Sequence, residues 1–380
     1  MNIRFLRHID RLVGPLLLLI LAPLARVATT LLPASNREAR HHIFLKLKGG
    51  GSLIIAMPAL LAMRRAAPAA IFTLVCTTDT KIYAELTGIF DQYAVIDDKS
   101  PITLLQSAIY ALKVSFRADI CIDLEANSLL AAVFTTLTLA KRRLGLVKPE
   151  ERYRALAYTE AISFNVFAPI YVFYDQLATL VGAAIPAIGL CTEQLQKTLP
   201  KPLESKDNTR SIGIAAFTSD FAPERMMPAS VWAELLKRQS GDEQCRILLL
   251  GSEKNKKAAE DFISTAQESL PKASFSNLCG KLSLKEAAAS FINLDEFWSV
   301  DSGLLHIARL LGIPCRSFWG PTNPAQRLRP IEELVEKTLY SNFTCSPCVH
   351  LTGPIPCKGN NLCMKTIGEI APNRAPLWRV

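Results

Sequence analysis

The chain alternates short apolar runs with helical patterns, and the alternation comes in two blocks. The first block has strand-like runs at 71–77 and 118–127 with a helical pattern at 102–116 between them. The second block repeats the arrangement, with strand-like runs at 211–217 and 245–251. Strands that alternate with helices form parallel sheets covered by helices on both faces. The sequence therefore predicts an α/β protein with two Rossmann-like, doubly wound domains.

A local change in composition indicates where one domain ends and the next begins. The segment 199–210 is rich in proline, lysine and other polar residues and interrupts the alternation, as an interdomain linker would. The chain has 380 residues, enough for two domains of roughly 150 residues with additional segments. We divide it into an N-terminal segment (1–38), a first domain (39–200), a linker (201–210), a second domain (211–340) and a cysteine-rich tail (341–380).

The N-terminus joins basic residues to an apolar run from Leu12 to Ala25. This run has 14 residues, fewer than the roughly 20 that a membrane-spanning helix needs. Three interpretations stay open: a monotopic membrane anchor, a helix packed on the protein's own surface, and a secretory signal peptide. Asp10 and the lack of a clean cleavage site argue against the signal peptide. In the anchor, four arginines would meet anionic headgroups, namely Arg4, Arg7, Arg11 and Arg26.

The net charge of +9 favours anionic partners. Phosphorylated small molecules, an anionic membrane face and nucleic acid all meet that description. The basic residues are spread along the chain, and no nucleic-acid recognition module is visible. We therefore expect no nucleic-acid partner.

A glycine loop follows the first apolar run of the first domain. Its residues Gly50, Gly51 and Ser52 precede a helical pattern, so the backbone could approach a ligand closely. The spacing matches neither a P-loop nor a dinucleotide-binding fingerprint. A tight turn without a ligand is equally compatible with the sequence.

A second loop, after the strand-like run 211–217, carries hydroxyl groups and an arginine. Thr218, Ser219 and Arg225 suit phosphate oxygens. The alternative is a solvated loop in which Arg225 pairs with Glu224.

The most informative stretch, 300–324, reads VDSGLLHIARLLGIPCRSFWGPTNP. Asp301 stands where a strand gives way to a helix, placed either to accept hydrogen bonds from a ribose or to cap that helix. Ser302 and Gly303 would present N–H groups to a diphosphate at the start of the helix. His306 lies about one turn further on, near the same ligand, unless it is simply a buried histidine.

This stretch and the segments around it resemble glycosyltransferase family 9, whose best-known members are the lipopolysaccharide heptosyltransferases. The family motif D-[ST]-G-x-x-H corresponds to 301–306, and its G-x-P and G-P-T-x-P turns correspond to 312–314 and 320–324. Supporting similarity lies at 44–68 and 223–235. The resemblance runs from about residue 42 to residue 370.

The resemblance implies a GT-B fold, in which two Rossmann-like domains face a cleft. It implies an inverting, metal-independent sugar transfer, typically of heptose from ADP-heptose, with no cofactor required. The second domain would bind the nucleotide-sugar donor, and Arg225 and the helix after Asp301 would stabilise the departing diphosphate. The first domain would take a lipid-linked saccharide acceptor. We accordingly expect a peripheral protein on the cytoplasmic face of a bacterial inner membrane.

One position departs from the family pattern. Family members with well-understood chemistry carry Gly-Asp at the end of the glycine loop, and that aspartate is taken as the catalytic base, whereas this chain has Gly51-Ser52. Asp123 and Glu125, at the end of a strand, are the candidate replacement bases. The alternative function is a non-catalytic nucleotide-sugar-binding or scaffold protein derived from the family.

Ten cysteines are present, and four of them cluster near the C-terminus at Cys345, Cys348, Cys357 and Cys363. Their spacing is irregular for a zinc ribbon but compact enough to hold one ion. Structural zinc and reduced structural or redox-active thiols both remain open. The other six stand in apolar contexts, which predicts buried thiols of a reducing compartment.

Overall fold

The computed structural model describes residues 3–31, 40–202, 209–218, 222–240, 243–349, 355 and 357–369. The chain divides into two compact units, Met1–Ala187 and Ile188–Val380. Each unit contains one six-stranded sheet in which all the described strand pairs are parallel. The predicted α/β class, with one parallel sheet in each half of the chain, is confirmed.

The first unit has strand order β3-β2-β1-β4-β5-β6. Its strands are β1 (His41–Leu45), β2 (Ile71–Thr77), β3 (Gln92–Ile96), β4 (Ile120–Asp123), β5 (Arg142–Val147) and β6 (Glu160–Ser163). Its helices are α1 (Ile3–Leu31), α2 (Gly50–Ile55), α3 (Met57–Ala66), α4 (Thr78–Thr87), α5 (Pro101–Ser115), α6 (Leu129–Leu137) and α7 (Ile170–Leu180), with a 3₁₀ segment at Pro149–Ala157.

The second unit has strand order β12-β11-β10-β7-β8-β9. Its strands are β7 (Arg210–Ala215), β8 (Cys245–Leu249), β9 (Ser274–Asn277), β10 (Glu296–Val300), β11 (Cys315–Trp319) and β12 (Glu336–Tyr340). Its helices are α8 (Ile188–Gln196), α9 (Ala229–Ser240), α10 (Lys256–Ser269), α11 (Leu284–Ser290), α12 (Gly303–Leu310), α13 (Pro324–Arg327) and α14 (Leu362–Lys365). Short 3₁₀ segments lie at Pro223–Arg225, Glu253–Asn255, Phe291–Asn293 and Ile367–Glu369.

Both sheets place their first strand in the centre, and this position brings strand ends together. In the first unit β1 lies between β2 and β4, so the loop after β1 is next to the loop after β4. In the second unit β7 lies between β10 and β8, so the loop after β7 is next to the loop after β10. Carboxyl ends of neighbouring parallel strands are where α/β proteins bind ligands. The loops singled out in the sequence therefore form one cluster in each unit.

Helix α1 runs unbroken through Pro15 and Pro23 to Leu31, which is further than the apolar run suggested. The part Leu12–Leu31 has a mean hydropathy of 2.0 and is long and apolar enough to cross a membrane, by length and composition alone. Only 22% of that part is buried. The basic side chains Arg4, Arg7 and Arg11 lie outside the described side chains, and Arg26 is exposed.

One side of α1 packs against α6. Leu18 is fully buried in a cluster with Leu129 and Val133. Gly14 permits the close approach, since a Cβ atom there would lie 2.5 Å from Cβ of Leu129. Asp10 stabilises the contact, because its carboxylate accepts hydrogen bonds from the backbone N–H groups of Leu129 and Leu130 at 3.0 and 2.7 Å. A carboxylate at a helix N-terminus stabilises both the free N–H groups and the helix dipole. The helix is thus built into the first unit.

Candidate functional site

The start of α12 forms the core of the site in the second unit. Ser302 is the N-cap residue, and its Oγ accepts the Leu305 N–H at 3.3 Å. Gly303 is the first helical residue. The capping function that the sequence left open for Asp301 therefore belongs to Ser302. The Asp301 carboxylate has other partners.

Arg225 binds Asp301 twice. Its Nη1 donates to the Asp301 carbonyl oxygen at 2.8 Å and lies 3.3 Å from Oδ2 of the carboxylate. Both side chains are largely buried, 12% and 7% exposed. The alternative pairing of Arg225 with Glu224 is not seen among the described ion pairs. The structure therefore joins the β7 loop to the β10 loop by a charged contact.

His306 lies on the first turn of α12 with its Nε2 3.9 Å from Oδ1 of Asp301. It is 5% exposed, and burial lowers the pKa of His306 to about 3 even though the Asp301 carboxylate opposes that change. The imidazole is consequently neutral at physiological pH, and its contact with Asp301 is not an ion pair. His306 is buried and lies beside the acidic residue of the same motif.

The remaining candidates in this unit are Thr218 and Ser219. The hydroxyl of Thr218 donates to the Ala222 carbonyl oxygen at 3.0 Å, so it shapes the loop that carries Arg225. Ser219 lies outside the described residues.

In the first unit, the glycine loop leaves β1 and turns sharply into α2. Gly49 has a φ of 92°, a left-handed conformation that favours glycine. Gly50 lies against Tyr83, since a Cβ atom at Gly50 would be 2.1 Å from the ring. Gly51 and Ser52 follow within α2 and are both half-buried. The loop is therefore tightly turned and closely packed on one side.

Glu125 binds this loop from the neighbouring strand. Its Oε1 accepts the N–H groups of Leu47 and Lys48 at 2.8 and 2.9 Å, and its Oε2 accepts from Lys46 Nζ at 3.1 Å. Its side chain is 12% exposed. Burial by itself lowers the pKa of Lys46, but the Glu125 carboxylate outweighs this effect and raises the pKa above its ordinary value. Glu125 and Lys46 thus form a charged pair directly before the glycine loop.

Asp123 differs from Glu125 in its surroundings. It is fully buried and accepts from Arg154 Nη2 at 3.0 Å, from the Tyr158 hydroxyl at 2.6 Å and from the Glu125 N–H at 2.9 Å. Burial raises the pKa of the Asp123 carboxyl, and the Arg154 guanidinium opposes that rise. Arg154 is also fully buried and donates to the Glu125 carbonyl oxygen. Asp123 therefore supports the backbone that carries Glu125.

Sequence reasoning missed Lys46, Arg154 and Tyr158. The first stands at the end of the apolar run 42–46, and no motif marks it. Arg154 and Tyr158 lie about 30 positions after Asp123, in a segment without strong periodicity. Only the tertiary structure brings them to the end of β4.

The four tail cysteines line one small cavity of about 90 Å³. Cys345 is exposed, Cys348 and Cys363 are buried, and Cys357 is intermediate. Burial raises the pKa of Cys363 to about 11, and the neighbouring thiols act in the same direction. Among the residues that the structure describes, no three His, Cys, Asp or Glu side chains are gathered closely enough to hold a metal ion. Structural zinc and reduced structural or redox-active thiols stay the two alternatives for this tail.

The other six cysteines are all buried, as predicted, and none of the ten forms a disulfide.

Fold and site together define a two-unit α/β protein of the GT-B type. The model of glycosyltransferase family 9 (heptosyltransferase) matches residues 111–358, which is more than half of the chain. The chain therefore belongs to glycosyltransferase family 9, and the resemblance seen in the sequence is confirmed.

Curated relatives match part of the chain. Lipopolysaccharide heptosyltransferase 2 of Escherichia coli K12 is 31% identical over 175 residues, 46% of each protein. Lipooligosaccharide heptosyltransferase 2 of Campylobacter jejuni is 26% identical over 168 residues, 44% of this chain and 50% of the relative. The chain thus spans about half the length of the curated relatives it matches.

Solved structures match over a larger share. A glycosyltransferase family 9 protein from Veillonella parvula has a TM-score of 0.60 at 17% identity, covering 80% of this chain and 87% of its own. The ADP-heptose lipopolysaccharide heptosyltransferase II of Escherichia coli has a TM-score of 0.57 at 16% identity, covering 79% and 90%. An Escherichia coli heptosyltransferase solved with ADP has a TM-score of 0.59 at 18% identity, covering 78% and 93%. At these identities the likeness shows the shared fold.

Proposed function

We propose that the chain transfers a heptose from ADP-heptose to a lipid-linked saccharide during synthesis of the lipopolysaccharide core or a related surface glycan. The contact of Arg225 with Asp301 at the start of α12 supports this proposal most strongly. It places a guanidinium, a carboxylate and the N-terminus of a helix together at neighbouring strand ends of the second unit. Family membership and the ADP complex of the Escherichia coli relative point to the same donor.

Donor binding is assigned to the second unit. The Asp301 carboxylate accepts hydrogen bonds from the ribose, and the N–H groups of Ser302 and Gly303 face the diphosphate. Arg225 neutralises the charge that develops on the departing diphosphate, with Thr218 and Ser219 on the same loop. In this proposal, cationic and N–H groups meet the electrostatic demand of the reaction, so no metal ion is required. Direct displacement of the diphosphate by the acceptor hydroxyl inverts the anomeric centre.

Acceptor activation is assigned to the first unit, with Glu125 as the general base. Of the two candidate carboxylates, Glu125 is the one that retains exposure to solvent. Asp123 is a positioning residue, because it and Arg154 hold the backbone of Glu125. Gly50, Gly51 and Ser52 shape the acceptor side of the site.

The lipid-linked acceptor requires a location at a membrane. Helix α1 supplies an apolar surface that is built into the first unit and exposes Arg26. We propose a peripheral location on the cytoplasmic face of the inner membrane, with α1 lying in the interface between headgroups and acyl chains.

Thermal stabilisation by a panel of nucleotides and nucleotide sugars tests donor binding. ADP-heptose at about 100 times its dissociation constant should add about 2.7 kcal/mol of stability. Asp301→Ala should abolish this gain, whereas the matched change Asp261→Ala, at an exposed position of α10, should preserve it. If no nucleotide stabilises the folded wild-type protein, donor binding is refuted.

Turnover of two variants tests the base. Glu125→Gln keeps the side-chain shape and should lower kcat by about 100-fold or more while leaving donor binding unchanged. The double variant Glu125→Gln with Ser52→Asp restores a carboxylate where other family members carry one and should recover part of the lost turnover. An unchanged kcat in Glu125→Gln removes Glu125 from the mechanism.

The second candidate function is a non-catalytic nucleotide-sugar-binding protein, which the serine at position 52 favours. Donor binding without any transfer to supplied acceptors would identify it.

A further inference from the structure

A row of apolar side chains lies exposed on α5 of the first unit. Ile102, Leu105 and Ile109 are 70%, 63% and 47% exposed. Their spacing of three and four residues puts them on one face of the helix. Phe116, directly after the helix, is 41% exposed. Soluble monomers seldom leave contiguous apolar surface of this kind open to water.

Helix α5 belongs to the same helical layer as α1. Parallel crossover connections are right-handed, and the chain moves in one direction across the sheet from β3 through β4 and β5 to β6. The connecting helices α5 and α6 therefore cover one face of the sheet, and Ala111 and Ala131 pack in a single core cluster beneath them. Because α1 packs on α6 and on the segment 149–157, it joins that layer.

The outer surface of this layer is apolar on α1 as well as on α5. On α6, Leu130 is half-buried, and Phe134 packs against the core cluster beneath the layer. The exposed large apolar side chains of α1 are between 40% and 78% exposed: Leu12, Val13, Leu16, Leu19, Ile20, Leu24, Val27 and Leu31. The exposed stripes of α1 and α5 thus lie on the same side of the sheet, with α6 between them in strand order.

The charges around these stripes select an anionic partner. Neither Leu12–Leu31 nor Pro101–Phe116 contains a carboxylate. Arg26 and Lys113 are exposed on the two helices. Asp10, the acidic residue of α1, is occupied by the N-terminus of α6. A second copy of this chain would bring its own cations against these, whereas anionic headgroups neutralise them.

We propose that α5 is a second membrane contact, which inserts Ile102, Leu105 and Ile109 into an anionic bilayer alongside α1. This inference rests on the proposed function, since a lipid-linked acceptor brings the first unit to the membrane. Two helices of one layer fix the tilt of the unit on the bilayer, which a single helix leaves free to rotate about its axis.

Flotation with vesicles of phosphatidylglycerol and phosphatidylethanolamine tests the proposal. The triple variant Ile102→Asn, Leu105→Asn and Ile109→Asn should lower the partition coefficient by about 100-fold, at about fivefold for each partly inserted side chain. The control triple variant replaces three exposed apolar residues outside this layer with asparagine, namely Ile82, Ile292 and Val335. It should bind like the wild type.

Turnover with a delipidated, water-soluble acceptor should be equal in the wild type and the α5 variant. This second readout separates the two claims: an inactive wild type that binds vesicles contradicts the proposed function and leaves the α5 contact standing. Unchanged flotation of the α5 variant overturns the contact. A concentration-dependent dimer of the wild type that the α5 variant lacks also overturns it, in favour of a second copy.

Discussion

Replacing Asp123 with alanine is expected to destabilise the first unit by about 4 kcal/mol. Asp123 and Arg154 are both fully buried, and their side chains are 3.0 Å apart. The substitution leaves the Arg154 guanidinium without its buried counter-charge. It also removes the acceptor of the Tyr158 hydroxyl and of the Glu125 N–H.

The magnitude follows from these lost contacts. Removing one partner of a buried ion pair costs about 3–5 kcal/mol. Each buried donor left without an acceptor adds roughly 1–3 kcal/mol, and water that enters the space left by the carboxylate offsets much of this addition. For a unit of this size, a loss of about 4 kcal/mol lowers the Tm by about 8–16 °C.

Differential scanning calorimetry measures the effect, and Asp98→Ala is the matched control. Asp98 makes an ion pair with Lys48 at 3.6 Å in the same unit, but both side chains are about half exposed, 45% and 52%. An exposed pair of this kind contributes about 0–1 kcal/mol. A Tm of the Asp123→Ala variant equal to that of the control would contradict a stabilising role for the buried Asp123–Arg154 pair.

Two further predictions concern His306 and Asp10. Burial lowers the pKa of His306 to about 3. Below pH 6.5 the histidine is therefore protonated in the unfolded chain but stays neutral in the folded protein. The free energy of unfolding consequently falls as the pH falls from 6.5 towards 3. Between pH 6.5 and 4.5 this histidine should account for about 2 kcal/mol of lost stability, and denaturant titrations of His306→Asn should lack that part of the slope. Asp10→Ala removes the carboxylate that caps α6 and should cost about 1 kcal/mol, seen as faster hydrogen exchange of the Leu129 and Leu130 amides. Unchanged exchange at both amides would contradict the capping role.

The sheets were predictable because apolar periodicity is a local property of the sequence. The run 71–77 matches β2, and the helix predicted over 102–116 matches α5 within one residue at each end. The helical pattern that follows the glycine loop forms two helices that join at Ala56, where Pro58 follows at the start of α3. The helix α4 and the strands β5 and β6 were not predicted, because their patterns are weaker.

The different surroundings of Asp123 and Glu125 could not be predicted from the sequence. The two carboxylates stand two residues apart at the same strand end, and nothing local distinguishes them. The difference comes from Arg154 and Tyr158, which the fold brings to Asp123 from about 30 residues away. The capping of α6 by Asp10 is similar, since it depends on a contact across 119 positions.

The decisive experiment for the proposed activity is a transfer assay with ADP-heptose and a core lipopolysaccharide acceptor that lacks its outer heptose. We expect one heptosyl residue to be added to the acceptor, measured by mass spectrometry, for every ADP released, and the rate to fall by about 100-fold or more in Glu125→Gln. A folded protein that binds ADP-heptose yet releases no ADP and leaves the acceptor unchanged would contradict the transferase and leave a binding protein in its place.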